Sequence, residues 1–342
     1  MYGQCFSGDG GIYKADGDPD RYDRGAGFVS GAELVRFFPS QNFLPCAVLA
    51  ALLIFAGFYL LFYCGRKYGG FNGTLERVFG KFAPPVRAVI LAASLVTCSG
   101  MLAGLDSVML EGFGVPKVFP VLSLGVLIGV YFLSERGTVA IGWVNLCLVP
   151  AIVAFVVSLA FRRVDFDYAF TPAGEGIYSV LYVMLYAAMN VFLSAPVVCD
   201  LGARMKKTAG ATAAASAVIG GSIVVILANI FAEGANAIGA DMPLLAVMGA
   251  GTVMGKIFAS VSAFGIITTL FSTYYPLHQR AKECKRPRTV RLIVCAAVFV
   301  LSRLGLKNIV GYAYPALGLC GAFFLIMCAA VAGIALRKRT AQ

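Results

Sequence analysis

Nine apolar runs, each close to the length that crosses a lipid bilayer, leave this chain few folds to choose from. They cover residues 42–63, 85–110, 118–134, 139–161, 176–200, 210–232, 248–276, 290–305 and 308–336, and a spanning helix needs roughly 20 mostly apolar residues. A soluble domain carries about a quarter of its residues as charges. Here only 13% of the 342 residues are charged and 59% are hydrophobic, with a mean hydropathy of +0.83. Such a chain cannot cover a water-facing surface, so the sequence predicts an all-α polytopic membrane protein whose surroundings are the lipid bilayer. The segment 25–38 adds about half a spanning helix.

The net charge of +11 invites a nucleic-acid reading, but the charges are topogenic in placement. Alternate connections hold 18 Lys and Arg against 5 in the others, concentrated in 64–87, 201–209, 277–291 and the tail 337–342. Basic loops stay on the cytoplasmic side. The prediction is therefore a multi-pass protein of the cell membrane with a cytoplasmic C-terminus and no nucleic-acid partner; contact of the 277–291 loop with nucleic acid is the weaker alternative. Residues 1–24 read as a polar tail without the apolar core of a signal peptide, residues 25–336 as one transmembrane domain and 337–342 as a basic tail.

Ten cysteines are scattered without a C-x-x-C pair and mostly inside apolar runs, which suits buried thiols. His278 is the single histidine, which argues against histidine metal sites and histidine proton relays. The chain contains no GxxxxGK[ST], no HExxH and no G-x-S-x-G. The expectation is a protein that is not an enzyme, drives nothing with ATP and carries no cofactor.

Inside lipid, unwound backbone survives only where it lines a cavity. Two stretches read as unwound. Gly25-Ala26-Gly27-Phe28-Val29-Ser30-Gly31 heads the half helix, and each glycine costs a helix ~1 kcal/mol relative to alanine. The run 176–200 carries Asn190, then Ser194 and Pro196, and Pro196 withdraws a hydrogen bond from the Phe192 carbonyl. Close helix packing through small residues is the alternative for the glycines, and a merely kinked structural helix for Asn190 and Pro196. Interrupted helices at matching places in two halves mark transporters built from inverted repeats. With five spans per half the two halves insert upside down, one over about 25–161 and the other over about 176–336.

GAGFVSGAELVRFF resembles the opening helix of the YkvI-like bacterial membrane proteins, in which G-A-G-F-A-S-G-x-E precedes an aromatic pair. MLAGLDSVMLEGFGVP, AAMNVFLSAPVVCDLG and the paired threonines of FGIITTLFSTYY agree with it, over about residues 25–336. That family looks like a ten-helix relative of the amino acid–polyamine–organocation transporters, with a LeuT-like 5+5 inverted repeat. The resemblance implies that Gly25, Ala26, Gly27, Phe28, Ser30 and Gly31 face Tyr186, Asn190 and Ser194 near the bilayer midplane. Together they would hold a small solute. It also implies a sodium site in which Thr268, Thr269 and Ser272 join backbone carbonyls of Gly25 and Phe28. The alternative for these hydroxyls is hydrogen bonding to carbonyls of their own helix.

The sequence departs from the family before the glycines, where GDPDRYDR stands in place of an apolar stretch. Such a segment does not sit in lipid. The expectation is that the first half of helix 1 has been lost or altered by truncation or a frame change, with a protein that has shed its inner gate as the alternative.

Other polar residues are assigned as follows. Glu33 gates the site or reads an ammonium, or pairs with Arg36. Asp106 lies late in its span as a helix-end charge or a proton-coupling group, and Lys256 snorkels. Asp200 pairs with Arg204 at i+4. Tyr182 and Tyr186 share a face and line a pocket or pack. The functional expectation is a secondary transporter for a small amino-acid-like or organic amine solute, coupled to sodium or protons and working by alternating access about broken helices 1 and 6. The alternative is a non-transporting membrane receptor or structural protein derived from a transporter.

Overall fold

The computed structural model describes residues 31–116, 120–135, 154–155, 157–159, 161, 176–204 and 209–340. Every element among them is helical. A short α1 (Ala32–Phe37) leads into α2 (Phe43–Tyr68), the amphipathic α3 (Phe71–Phe79) and α4 (Ala83–Phe113). Next come α5 (Val121–Glu135), α6 (Gly176–Arg204) and α7 (Ala209–Glu233). Two short helices, α8 (Ala235–Gly239) and α9 (Pro243–Met248), precede α10 (Val253–Lys282). The chain ends with α11 (Pro287–Ser302), the single turn α12 (Leu306–Asn308), a π turn at Ile309–Ala313 and α13 (Tyr314–Thr340).

Among the described residues six helical stretches are long and apolar enough to cross a membrane, and α5 is a shorter apolar helix. At 1.5 Å per residue the 26 residues of α2 reach about 39 Å, more than the roughly 30 Å hydrocarbon layer. The array is that of a multi-pass membrane protein. Of the expected runs, 139–161 lies mostly outside the described residues.

Local chemistry sets the helix ends. Gly69, at φ 78°, closes α2 by donating to the Gly65 carbonyl at 3.0 Å, with Arg66 and Lys67 in the last turn where the helix dipole favours cations. The Thr252 hydroxyl accepts from Gly255 N at 3.0 Å and starts α10. That cap divides the expected run 248–276: its first residue closes α9, and the long helix begins only at Val253.

Two packed groups result. In the first, α6 lies against α2 and α13, and α7 lies against α2. Glycines set this spacing: a Cβ at Gly65 would run into the Cys199 backbone, and one at Gly321 into the Ala188 backbone. In the second, α4 packs on α10 and α11, with α5 beside them, around Cys98, Leu102, Leu270, Phe271, Tyr274 and Val298.

The expected interruption at Asn190–Pro196 is absent: α6 runs as one α-helix through Pro196. One missing N–H does not open a helix held by neighbours on two sides. Its polar side chains also bond within it, Asn190 Nδ2 donating to the Tyr186 carbonyl at 2.9 Å and Ser194 Oγ to the Asn190 carbonyl at 2.8 Å. The irregular stretch lies elsewhere, between α11 and α13. There Gly305 takes φ 82°, the π turn follows, and Pro315 has no N–H to give the Gly311 carbonyl. Arg36 Nη2 donates to that carbonyl at 3.1 Å.

Candidate functional site: a cavity between the two helix groups

A cavity of about 290 Å³ lies where the two groups meet. Helix α1 contributes Glu33, and α4 contributes Thr97, Gly100, Met101 and Gly104. Helix α6 adds Met189, Asn190, Leu193 and Ser194, and α10 adds Gly265, Ile266, Thr269 and Thr273. Met242, Leu306 and Tyr314 complete the lining. The space exists because α4 presents glycines to it: a Cβ on Gly100 would stand 3.1 Å from Tyr314 Oη.

Glu33, 6% exposed, is the charged side chain among the described lining residues. One turn on, Arg36 lies over the Tyr182 ring at 5.4 Å besides reaching Gly311. The lining hydroxyls donate to their own helices: Thr97 Oγ1 to the Ala93 carbonyl at 2.9 Å, Thr269 Oγ1 to Gly265 at 2.8 Å, Thr273 Oγ1 to Thr269 at 2.8 Å. A hydroxyl that has given its proton away still accepts through its oxygen. Tyr314 Oη is buried without a hydrogen-bond partner.

Ionic contacts tie down the end of the cavity towards the C-terminus of α4. The Glu111 carboxylate accepts from Asp241 N at 2.8 Å and Met242 N at 3.1 Å, holding the chain that carries Met242. Lys307 Nζ sits 2.9 Å from Asp241, and Ser107 Oγ donates to Asp241 Oδ2 at 3.2 Å. Asp106 pairs with Arg303 at 2.5 Å. At the opposite end of α10, Glu135 meets Arg291 and lies 3.3 Å from Lys282. Asp200 accepts from Phe71 N at 2.9 Å and so caps α3, where the sequence pairs it with Arg204.

The cavity gathers four of the sequence-predicted residues: Glu33, Asn190, Ser194 and Thr269. Gly25, Ala26, Gly27, Phe28 and Ser30 lie outside the described residues. Gly31, at φ 79°, packs near Ile230 and Leu244. Tyr186 is in the packed core, its ring 5.6 Å from Phe37 and 5.2 Å from Phe38. Thr268 is buried with Oγ1 donating to Gly265 at 3.0 Å, and Ser272 is exposed. The face of α10 that meets the cavity runs through Gly265, Thr269 and Thr273. The hydroxyl pair available to an ion there is Thr269 with Thr273.

Sequence reasoning missed Thr97, Thr273, Tyr314 and the methionines. Thr273 stands one turn after Thr269, a spacing that signals a shared face. The others have no local signal.

No family model matches the sequence. The chain is similar to a protein of Bacillus subtilis (strain 168) named Uncharacterized protein YyaD, with 21% identity over 314 residues, 88% of this chain and 91% of that protein. The likeness runs the length of the helical array, and that protein's name brings no activity with it.

Proposed function

We propose that this protein is a secondary active transporter of a small amino-acid-like or organic amine solute, coupled to sodium or protons, in the cell membrane with its C-terminus in the cytoplasm. The observation that carries the reading is the cavity, which places a buried carboxylate, an amide and hydroxyls inside an otherwise apolar bundle. Polar groups at membrane depth are functional by default. A 290 Å³ cavity stands at the small end of ligand sites.

The packing supports a LeuT-like 5+5 repeat. Numbering spans from α1 as the first and 139–161 as the fifth, second lies on seventh (α2 on α7), third on eighth (α4 on α10) and fourth on ninth (α5 on α11). Among the described spans the first four each meet the helix five spans later, the first on the sixth included, an arrangement that suits halves related by a two-fold axis. Alternating access then proceeds by movement of one helix group against the other, with the cavity at their boundary, and α6 moves as a rigid rod. Sodium, where it is the coupling ion, takes oxygens from Thr269 and Thr273.

Uptake of labelled small amines and amino acids by proteoliposomes under a sodium or proton gradient tests this. The expected result is flux of at least one solute, abolished by Asn190→Leu. Absence of flux across the panel favours the second reading, a receptor or structural protein descended from a transporter. The continuity of α6 favours that reading, because an unbroken helix lacks the usual hinge.

A further inference from the structure

We propose that the cavity takes an amphipathic solute in one orientation, its polar group among the hydroxyls and its apolar body against Gly104, and that Gly104 limits the size of that body. The proposal rests on the solute-cavity reading above and adds the shape of the solute and a residue that selects it.

The cavity has two chemically different ends, fixed by the antiparallel register of α4 and α10. Cys98 Sγ donates to Thr273 Oγ1 at 3.2 Å, whereas a Cβ on Gly104 would stand 3.7 Å from Ile266 Cδ1. Thr97 and Thr273 therefore mark one level, and Gly104 and Ile266 another. They lie seven residues apart along α4, or about 10 Å. Ser194 belongs with the threonines, because α6 runs towards the start of α4: Asp200 caps α3, whose Asn72 accepts from Arg87 of α4. Leu306 belongs with Gly104, its Cδ1 3.6 Å from the position of a Cβ there.

At the hydroxyl end Thr97 and Ser194 have given their protons to carbonyls of their own helices, and their oxygens still accept. Asn190, one turn before Ser194, gives one amide proton to the Tyr186 carbonyl and keeps a second proton and its oxygen. That end thus serves donors and acceptors alike. At the other end Met242, Ile266 and Leu306 line the space with apolar side chains. A polar group placed among them would give up its water for nothing. The solute's apolar body goes there.

Gly104 stands in the apolar end with no packing reason to be glycine. It lies within the regular helix α4 and is not among the glycines of positive φ. A Cβ added to it would make ordinary contacts of 3.6 to 3.9 Å with Leu306 and Ile266. Gly112, two turns on, differs: there a Cβ would come within 2.6 Å of the Ala259 Cβ, so the approach of α4 to α10 requires glycine. Glycine weakens a helix relative to alanine, and at position 104 what it leaves is room in the cavity. The wall around that room is held. Glu111 accepts from Asp241 N and Met242 N, and Lys307, next to Leu306, pairs with Asp241 at 2.9 Å. A wall fixed in this way measures the body of the solute.

Two homologous series with different polar groups test this. One is the α-amino acids alanine, 2-aminobutyrate, norvaline and norleucine; the other is the n-alkylamines from ethylamine to pentylamine. Thermal unfolding of the full chain purified in detergent is followed against each. In at least one series, saturable binding should tighten by roughly fourfold per added carbon up to a largest tolerated member. Gly104→Ala should weaken that member by about tenfold and leave the shortest within about twofold. Ile266→Val removes the Cδ1 atom that faces Gly104, and should move the limit upward by about one carbon. Gly125→Ala, on α5 with nothing within 4 Å of the added Cβ, makes the same exchange outside the cavity and should leave both series as in the parent.

No saturable stabilisation by any member of either series would overturn the proposal. So would a Gly104→Ala effect that is absent, or equal for short and long members. Size-limited binding without flux in proteoliposomes would defeat the transporter reading and leave this one standing. Flux whose size limit stays unmoved in Gly104→Ala would do the reverse.

Discussion

Two prolines in this molecule have opposite consequences. Pro196 lies inside α6, which continues unbroken to Arg204, whereas Pro315 follows a π turn and the single-turn helix at Leu306–Asn308. Each lacks the N–H that a carbonyl four residues earlier would take, Phe192 in one case and Gly311 in the other. Around Pro196 the backbone is held from two sides, because Gly65 and Gly202 bring α2 onto α6 and Gly318 and Gly321 bring α13 onto it. Around Pro315 the Gly311 carbonyl has an external donor, Arg36 of α1, at 3.1 Å. A proline opens a membrane helix where something else serves the freed carbonyl, and bends into line where packing leaves no room.

The contrast can be broken most forcefully at the glycine clamp. Gly321→Leu drives a side chain into the Ala188 backbone and should destabilise the protein by about 3 kcal/mol, the upper range for overpacking. Thermal unfolding in detergent measures it. A neutral result would mean that packing does not hold α6 straight. Next in size, Arg36→Leu leaves the Gly311 carbonyl without this donor in a buried setting, at a cost of about 2 kcal/mol.

Pro315→Ala sharpens the comparison. It returns an N–H near Gly311, so combined with Arg36→Leu it should recover about 1 kcal/mol of the loss. It should also raise amide protection through 309–313 in hydrogen exchange. Simple additivity of the two changes would uncouple the arginine from the proline. The smallest effect is expected for Pro196→Ala, a gain of about 1 kcal/mol or less with unchanged exchange on either side of the site. A large change in local protection there would mean that α6 was strained after all.

Much of this architecture could be read from the chain. Several of the apolar runs coincide with described helices within a few residues, as with 42–63 and Phe43–Tyr68, because a bilayer sets a length that composition displays directly. The turn chemistry Gly249-Ala250-Gly251-Thr252 was equally visible, but averaging over an apolar run hides a cap. Asn190, Ser194 and Glu33 stood out because polar atoms in apolar segments are conspicuous, and all three reach the cavity.

Helix phase was the harder quantity. Thr268, Thr269 and Ser272 lie within little more than one turn, and which of them meets the cavity depends on how α10 rotates against α4. That rotation comes from side chains 170 residues away, such as Cys98 donating to Thr273 Oγ1 at 3.2 Å. Tyr314 was illegible for the same reason: its role follows from Gly100 leaving space on a distant helix. The Pro196 assignment failed because the outcome depends on glycines in α2 and α13.

The most direct test of the central claim, that the cavity between the helix groups is a path for a charged solute, is electrical. Proteoliposomes on a solid-supported membrane report charge movement when an ammonium solute is introduced by concentration jump. The account predicts transient currents with primary amines at pH 7, lost in Glu33→Gln and in Asn190→Leu while the unfolding temperature of each variant stays near that of the parent. Currents of equal size in both variants, or no current from any amine, would contradict it.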